Sequence, residues 1–203
     1  MRATWLTDIH LNFLRPHALA QFYAAVKAER PDALLVTGDI AESDSVVRFL
    51  GELVSETDAH VYFNLGNHDF YSSNIRVVRD EVARASSRAT YMQNADPFEI
   101  SPGVIMLGVD GWGDARCGDL ESKVQLSDWK RIEDFRKYQT DKQGRIELLQ
   151  RLGSNEARLL HSRLAAVPAG TTELLVLTHV PPFPEACFYD GAMSDPTYLP
   201  WFT

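Results

Sequence analysis

His60-Val61-Tyr62-Phe63-Asn64-Leu65-Gly66-Asn67-His68-Asp69 is the stretch on which the reading of the chain turns. Its first six residues form a run of strand length, apolar enough to lie inside a sheet. The run stops abruptly, and four residues of a different kind follow. Gly66 and Asn67 alone would read as a turn. An amide oxygen, an imidazole and a carboxylate directly behind an apolar strand read better as part of a site. Asp69 is placed by this reading behind His68, orienting its imidazole and keeping it protonated.

Working outward, other apolar runs end the same way. Residues 3–7 lead into Asp8-Ile9-His10, residues 33–37 (ALLVT) into Gly38-Asp39, and residues 174–178 (LLVLT) into His179. In open α/β sheets, ligands bind outside the carboxyl ends of the strands. Here those ends carry side chains that bind hard or borderline metal ions. If strand geometry persists through Asp8 and His10, both project from one face and can grip one ion. Asp39 has two carboxylate oxygens and can bridge two ions about 3.5–4 Å apart. Gly38 before it permits a tight turn; the competing role for Asp39 is a helix cap. His179 alone would be an ordinary hydrogen-bonded residue and gains meaning only from the others. His17, His60 and His161 read as surface or core residues. Asp110, Gly111 and Trp112 follow another apolar run and either line the site or close a strand.

Between these ends the pattern alternates. A helix opens at Pro16 with an apolar stripe of Leu19, Phe22, Tyr23 and Val26, and stops before Pro31. A second carries Val46, Val47, Leu50, Leu53 and Val54, capped by Ser43 or Asp44. A third carries Ile75, Val78 and Val82 and begins at Ser72 or Ser73. This βαβαβα order predicts a parallel or mixed sheet covered by helices. Residues 98–100 and 104–109 read as a hairpin across Pro102-Gly103. Residues 111–144 read as a polar insertion, helical around 127–138. Asn155 is expected to cap a helix ending near Ala166, and the Pro-rich tail from Val180 is expected to be loop.

Composition narrows the class. The 203 residues, 45% hydrophobic and 24% charged, suit one sizeable domain spanning 1–203. A net charge of -8 argues against bulk nucleic-acid binding but not against a small phosphorylated substrate, since bound divalent cations reverse the local field. Cys117 and Cys187 stand far apart and are expected to be free thiols. No run approaches the ~20 apolar residues of a membrane span, and the N-terminus carries no leader-like segment. The expectation is a cytoplasmic protein without membrane contact.

Together, Asp8-Ile9-His10, Gly38-Asp39, Gly66-Asn67-His68-Asp69 and Thr178-His179 resemble, in order and spacing, the motif set of the calcineurin-like metallophosphoesterase superfamily. The resemblance runs over about residues 4–180. It implies a four-layer αββα sandwich of two mixed β-sheets flanked by helices. It also implies two divalent metal ions (Mn, Fe or Zn): Asp8 and His10 on the first, Asn67 and His179 on the second, Asp39 bridging. His68 would contact the scissile phosphate and protonate the leaving group, with Asp69 behind it. The implied activity is hydrolysis of phosphomonoesters or phosphodiesters by a metal-activated water.

One departure stands out. The family carries a further Gly-His-x-His motif after the position of His179, and no histidine follows His179 here. The expectation is therefore a chain lacking its C-terminal strands, weakly active, and prone to self-association through the exposed edge. The alternative is a non-catalytic scaffold of the same fold that serves protein partners. The intact Asp8, His10, Asp39, Asn67, His68 and His179 speak against a scaffold, which has no chemical need of them.

Overall fold

The computed structural model describes residues 1–85, 87–189 and 191–203. Strands β1 (Ala3–Leu6), β2 (Ala33–Thr37), β3 (His60–Asn64) and β4 (Ala89–Tyr91) form a sheet in the order β1-β2-β3-β4. Every neighbouring pair in it is parallel. Parallel strands need long crossovers, supplied here by α1 (Pro16–Ala28), α2 (Val46–Thr57) and α3 (Ile75–Val82). β2 explains why its sequence is apolar throughout. Leu34 and Val36 face the helix-side core with Phe49, Leu50 and Leu53 of α2, whereas Leu35 faces a second core with Met92, Met106 and Leu177. That second core is the seam between two sheets.

The other sheet contains β5 (Phe98–Ser101), β6 (Val104–Gly108) and β7 (Glu173–Leu177), in that order. β5 and β6 form the expected antiparallel hairpin, and β7 runs parallel to β6. The architecture is thus α/β with two sheets flanked by helices, though only the second sheet is mixed. Asn64, fully buried at the end of β3, joins the sheets. Its Nδ2 donates to the carbonyls of Val109 (2.5 Å) and Leu177 (2.8 Å). Asp110 answers by accepting the Leu65 N–H at 2.9 Å. The carboxyl ends of β3, β6 and β7 are thereby held together.

Local details differ from the sequence reading where side chains found tertiary partners. The α2 N-cap is Ser45, without a side-chain cap bond, because the Ser43 hydroxyl donates to the Tyr71 carbonyl at 2.7 Å. α3 is capped by Asn74, whose Oδ1 takes the Val77 N–H at 3.0 Å, not by Ser72 or Ser73. Within 111–144, α4 (Asp128–Arg131) and α5 (Glu133–Arg136) confirm the helical stretch. The next helix, α6 (Lys142–Ala165), begins well before Asn155, at Asp141, whose carboxylate caps the Gly144 N–H at 3.0 Å. The polar segment is also anchored, since Trp129, Ile132 and Phe135 enter the main core beside Trp112 and Trp201. The tail is not wholly loop. It holds a short hairpin, β8 (Phe188–Tyr189) with β9 (Ala192–Met193), and α7 (Leu199–Phe202).

β7 is an edge strand with Leu174 and Val176 exposed, and Trp5 is exposed on the edge strand β1. Cys117 and Cys187 are free. Among the described residues no helix is long and apolar enough to cross a membrane.

Candidate metal centre

The site forms where the loops after β1, β2, β3 and β7 meet. The first two loops run side by side, with Asp8 N–H donating to the Gly38 carbonyl (3.2 Å), His10 N–H to Asp39 (3.0 Å) and Leu11 N–H to Ile40 (2.8 Å). Strand geometry does not persist through Asp8 and His10. Asp8, His10 and Asp39 all adopt positive φ, at 51°, 41° and 52°. Left-handed backbone at non-glycine residues is uncommon and tends to mark functional sites.

The consequence is a division of the expected ligands. Asp8 groups with Asp39 and His179, and His10 groups with Asp39 and His68. Within each group the candidate ligand atoms lie within 4.8 Å of one another. Asp39, almost fully buried, belongs to both. Its Oδ1 faces His179 Nε2 at 3.6 Å, and its Oδ2 faces His10 Nε2 at 3.7 Å and His68 Nε2 at 3.9 Å. These separations are too long for hydrogen bonds. They match side chains that would each lie about 2.0–2.2 Å from a shared cation. His10 Nδ1 and His68 Nδ1 are buried without a hydrogen-bond partner among the described residues. His179 is tuned for the same task. Its Nδ1 donates to the Thr37 carbonyl at 2.8 Å, since a carbonyl can only accept, which leaves Nε2 as the atom turned to Asp39. The residues present therefore fit divalent cations.

Two glycines make the crowding possible. A Cβ on Gly38 would lie 2.6 Å from Gly66 N and 2.7 Å from His179 Nδ1, at a φ of +86°. A Cβ on Gly66 would lie 2.6 Å from Asp39 N and 2.7 Å from His179 Cε1, and closer still to Asp39 Oδ1.

Asp69 has a different part from the one expected. It is fully buried, and its Oδ1 accepts the Ile40 and Ala41 N–H groups, each at 2.9 Å, while Oδ2 accepts Gly66 N–H at 2.8 Å. It pins the Asp39 loop to the Gly66 loop, and its hydrogen bonds go to backbone, not to the His68 imidazole. The His68 ring instead lies between His10 (centroids 4.6 Å apart) and Tyr71 (4.3 Å). Asn67 donates from its Nδ2 to Asp128 Oδ1 at 2.9 Å, so its amide oxygen takes no part in that bond. Asp110 is also buried and serves the scaffold, accepting from Tyr91 Oη and Arg79 Nε as well as Leu65 N–H. Trp112 packs on Phe70. His60 bonds Thr90 and stacks on Tyr62, the ordinary role foreseen for it.

Burial dominates the electrostatics around the cluster. Burial, then the neighbouring Asp39, pushes the Asp69 carboxyl up to about 8, against the pull of its backbone donors. Burial lowers the His68 pKa, with Asp39 opposing and His10 adding to the fall. Burial also acts to lower His179, but Asp39 and Asp8 outweigh it and the pKa rises.

Sequence reasoning missed Asp128 and Tyr71. Asp128 reads like any other acid in a polar segment, and only its approach to Asn67 across 61 residues of chain reveals it.

The fold and the cluster define a metal-dependent hydrolase of phosphoesters. The chain belongs to the calcineurin-like phosphoesterase family, whose sequence pattern matches residues 1–199. Solved structures agree in fold. A phosphopantetheinyl hydrolase from Mycobacterium tuberculosis superposes with a TM-score of 0.62 at 16% identity, covering 99% of this chain and 74% of its own. A dimetal phosphatase from Danio rerio superposes with a TM-score of 0.53 at 17% identity, covering 94% of this chain and 72% of its own. No curated protein sequence matches the chain significantly.

Proposed function

We propose that this chain hydrolyses phosphomonoesters or phosphodiesters of small molecules with two divalent cations (Mn, Fe or Zn) that share Asp39. The observation that carries the reading is the orientation of Asp39, whose two oxygens face different imidazoles at 3.6–3.9 Å. A carboxylate so placed serves two cations at once. When bound, such a pair clamps phosphate oxygens and lowers the pKa of water from 15.7 towards about 7.

The chain's own residues do the rest. Asp8, Asp39 and His179 would hold one cation. His10 and Asp39 would hold the other, with the Asn67 oxygen completing the site. His68 presents Nε2 to the same space and is the group placed to give a proton to the leaving oxygen. Asp69 keeps the two ligand loops at their present spacing. With a net charge of -8 the protein as a whole repels an anionic substrate, and the bound cations would reverse that field at the centre. One observation favours a second role for His68, because it forms a ligand-like group with His10 and Asp39.

The test is turnover of p-nitrophenyl phosphate and bis-p-nitrophenyl phosphate before chelation, after it, and after adding Mn²⁺. Activity should vanish with the metal and return with it. Undiminished turnover in thoroughly stripped protein would end the two-metal reading.

A further inference from the structure

Asp128 stands apart from the other acids of residues 111–144. It opens α4, is 6% exposed, and its Oδ1 accepts two hydrogen bonds, from Asn67 Nδ2 at 2.9 Å and from Tyr71 Oη at 2.7 Å. Tyr71 Oη also lies 3.4 Å from Asn67 Nδ2. Asn67, Tyr71 and Asp128 thus form a closed triangle beside His68.

An asparagine amide has a donor end and an acceptor end that differ little in shape. Which end faces the metal centre is a chemical question, since only the oxygen binds a hard cation. With no proton of its own, an Oδ1 that accepts from Tyr71 can meet only the NH₂ end of Asn67. That holds whether or not the other carboxyl oxygen carries a proton. We propose that Asp128 is a positioning residue, selecting the amide orientation of Asn67 that turns its oxygen to the metal centre. The segment that sequence reading treated as a covering insertion would then complete the site. This rests on Asn67 being a ligand, as in the proposed function.

The geometry also shows why the task falls to a residue distant in sequence. Asn67 follows a glycine on a loop that Asp69 and Asp39 hold by their bonds to Gly66 N–H and His68 N–H, and those bonds leave the Asn67 side-chain torsions unconstrained. Tyr71 cannot fix the amide alone, because a hydroxyl both donates and accepts and so tolerates either end. Asp128 removes that tolerance by accepting the hydrogen bond of the Tyr71 hydroxyl. Supporting groups of this kind typically change metal affinity or activity 10–100-fold when removed.

The experiment is a titration of metal-free protein with Mn²⁺ by calorimetry, comparing wild type, Asp128→Ala, Asp128→Asn and Tyr71→Phe, with thermal melts of each metal-free protein alongside. Wild type should bind two ions. Asp128→Ala should weaken one of them about 10–100-fold and leave the other near its wild-type affinity. Asp128→Asn keeps an oxygen able to occupy the Oδ1 position and should recover most of the loss. Tyr71→Phe should weaken the same ion several-fold, and it keeps the test open if Asp128→Ala does not fold. Equal affinities in wild type and Asp128→Ala, or in wild type and Tyr71→Phe, would overturn the inference even if the melts differ, since Asp128 would then be merely structural. Equal weakening of both ions would overturn it too. Failure of the wild type to bind any Mn²⁺ would remove the proposed function as well.

Discussion

Gly66→Ala isolates the closeness of the ligand loops. The added methyl would stand 2.6 Å from the Asp39 backbone nitrogen and 2.7 Å from His179 Cε1. Non-bonded heavy atoms rest at about 3.5–4.0 Å, so the shortfall is roughly 1 Å. One of the obstructing atoms is backbone held by Asp69 on the neighbouring residues, and the other is a ring anchored to Thr37. Neither can swing aside as a flexible side chain would. Overpacking of this kind costs about 1–3 kcal/mol, and the rigid neighbours place this case at the upper end. For a chain of 203 residues each kcal/mol moves Tm by about 2–4 °C, giving a fall of roughly 6–12 °C. The loops must also part, so Mn²⁺ affinity should fall. Gly51→Ala in α2 is the control. A Cβ there meets nothing within 4 Å, and the helix should gain about 0.5–1 kcal/mol. Thermal melts with Mn²⁺ titration provide the assay. A Gly66→Ala protein with wild-type Tm and wild-type affinity would refute the described packing of the site.

Other outcomes follow from the same geometry. Asp39→Asn should harm metal retention more than any other single ligand change, because one charge serves both groups; elemental analysis after gel filtration checks this. His68→Ala should keep its metal while turnover drops about 10²–10⁴-fold, and an emptied site would instead make His68 a ligand. Burial, with Arg88 nearby, lowers the pKa of His60 from 6.5, so the stability it contributes is present above that value and is lost as pH falls towards the lowered one. Wild-type Tm should therefore drop more than that of His60→Gln between pH 7.5 and 5, and parallel curves would contradict the argument. The exposed Leu174 and Val176 on the edge strand β7 should give concentration-dependent association in sedimentation velocity, abolished by Val176→Lys. A monomer at every concentration would count against it.

Much of this was legible in the sequence because parallel strands buried on both faces advertise themselves. The run from Ala33 to Thr37 is apolar throughout since Leu34 and Leu35 enter different cores. The polar residues behind such runs had one place to go, the carboxyl edge of the sheet, so Asp8, His10, Asp39, Asn67, His68 and His179 could be gathered before any coordinates. What escaped was direction. Nothing local foretold that the backbone turns left-handed at Asp8 and His10, sending them to different partners of Asp39. Nor could spacing show that Asp69 bonds three backbone N–H groups and not the histidine beside it. The start of α6 escaped because the reading began the helix at Asn155, whereas Asp141 caps it and the turns it opens bury Leu148 and Leu149 in the core. β4, only three residues long, carried too short a pattern to see.

The most direct test of the central claim is a crystal of the Mn²⁺-loaded chain measured at the manganese absorption edge. The account predicts two anomalous peaks about 3.5–4 Å apart, one beside Asp39 Oδ1 with Asp8 and His179, the other beside Oδ2 with His10. A single peak, or two peaks of which one does not touch Asp39, would contradict it.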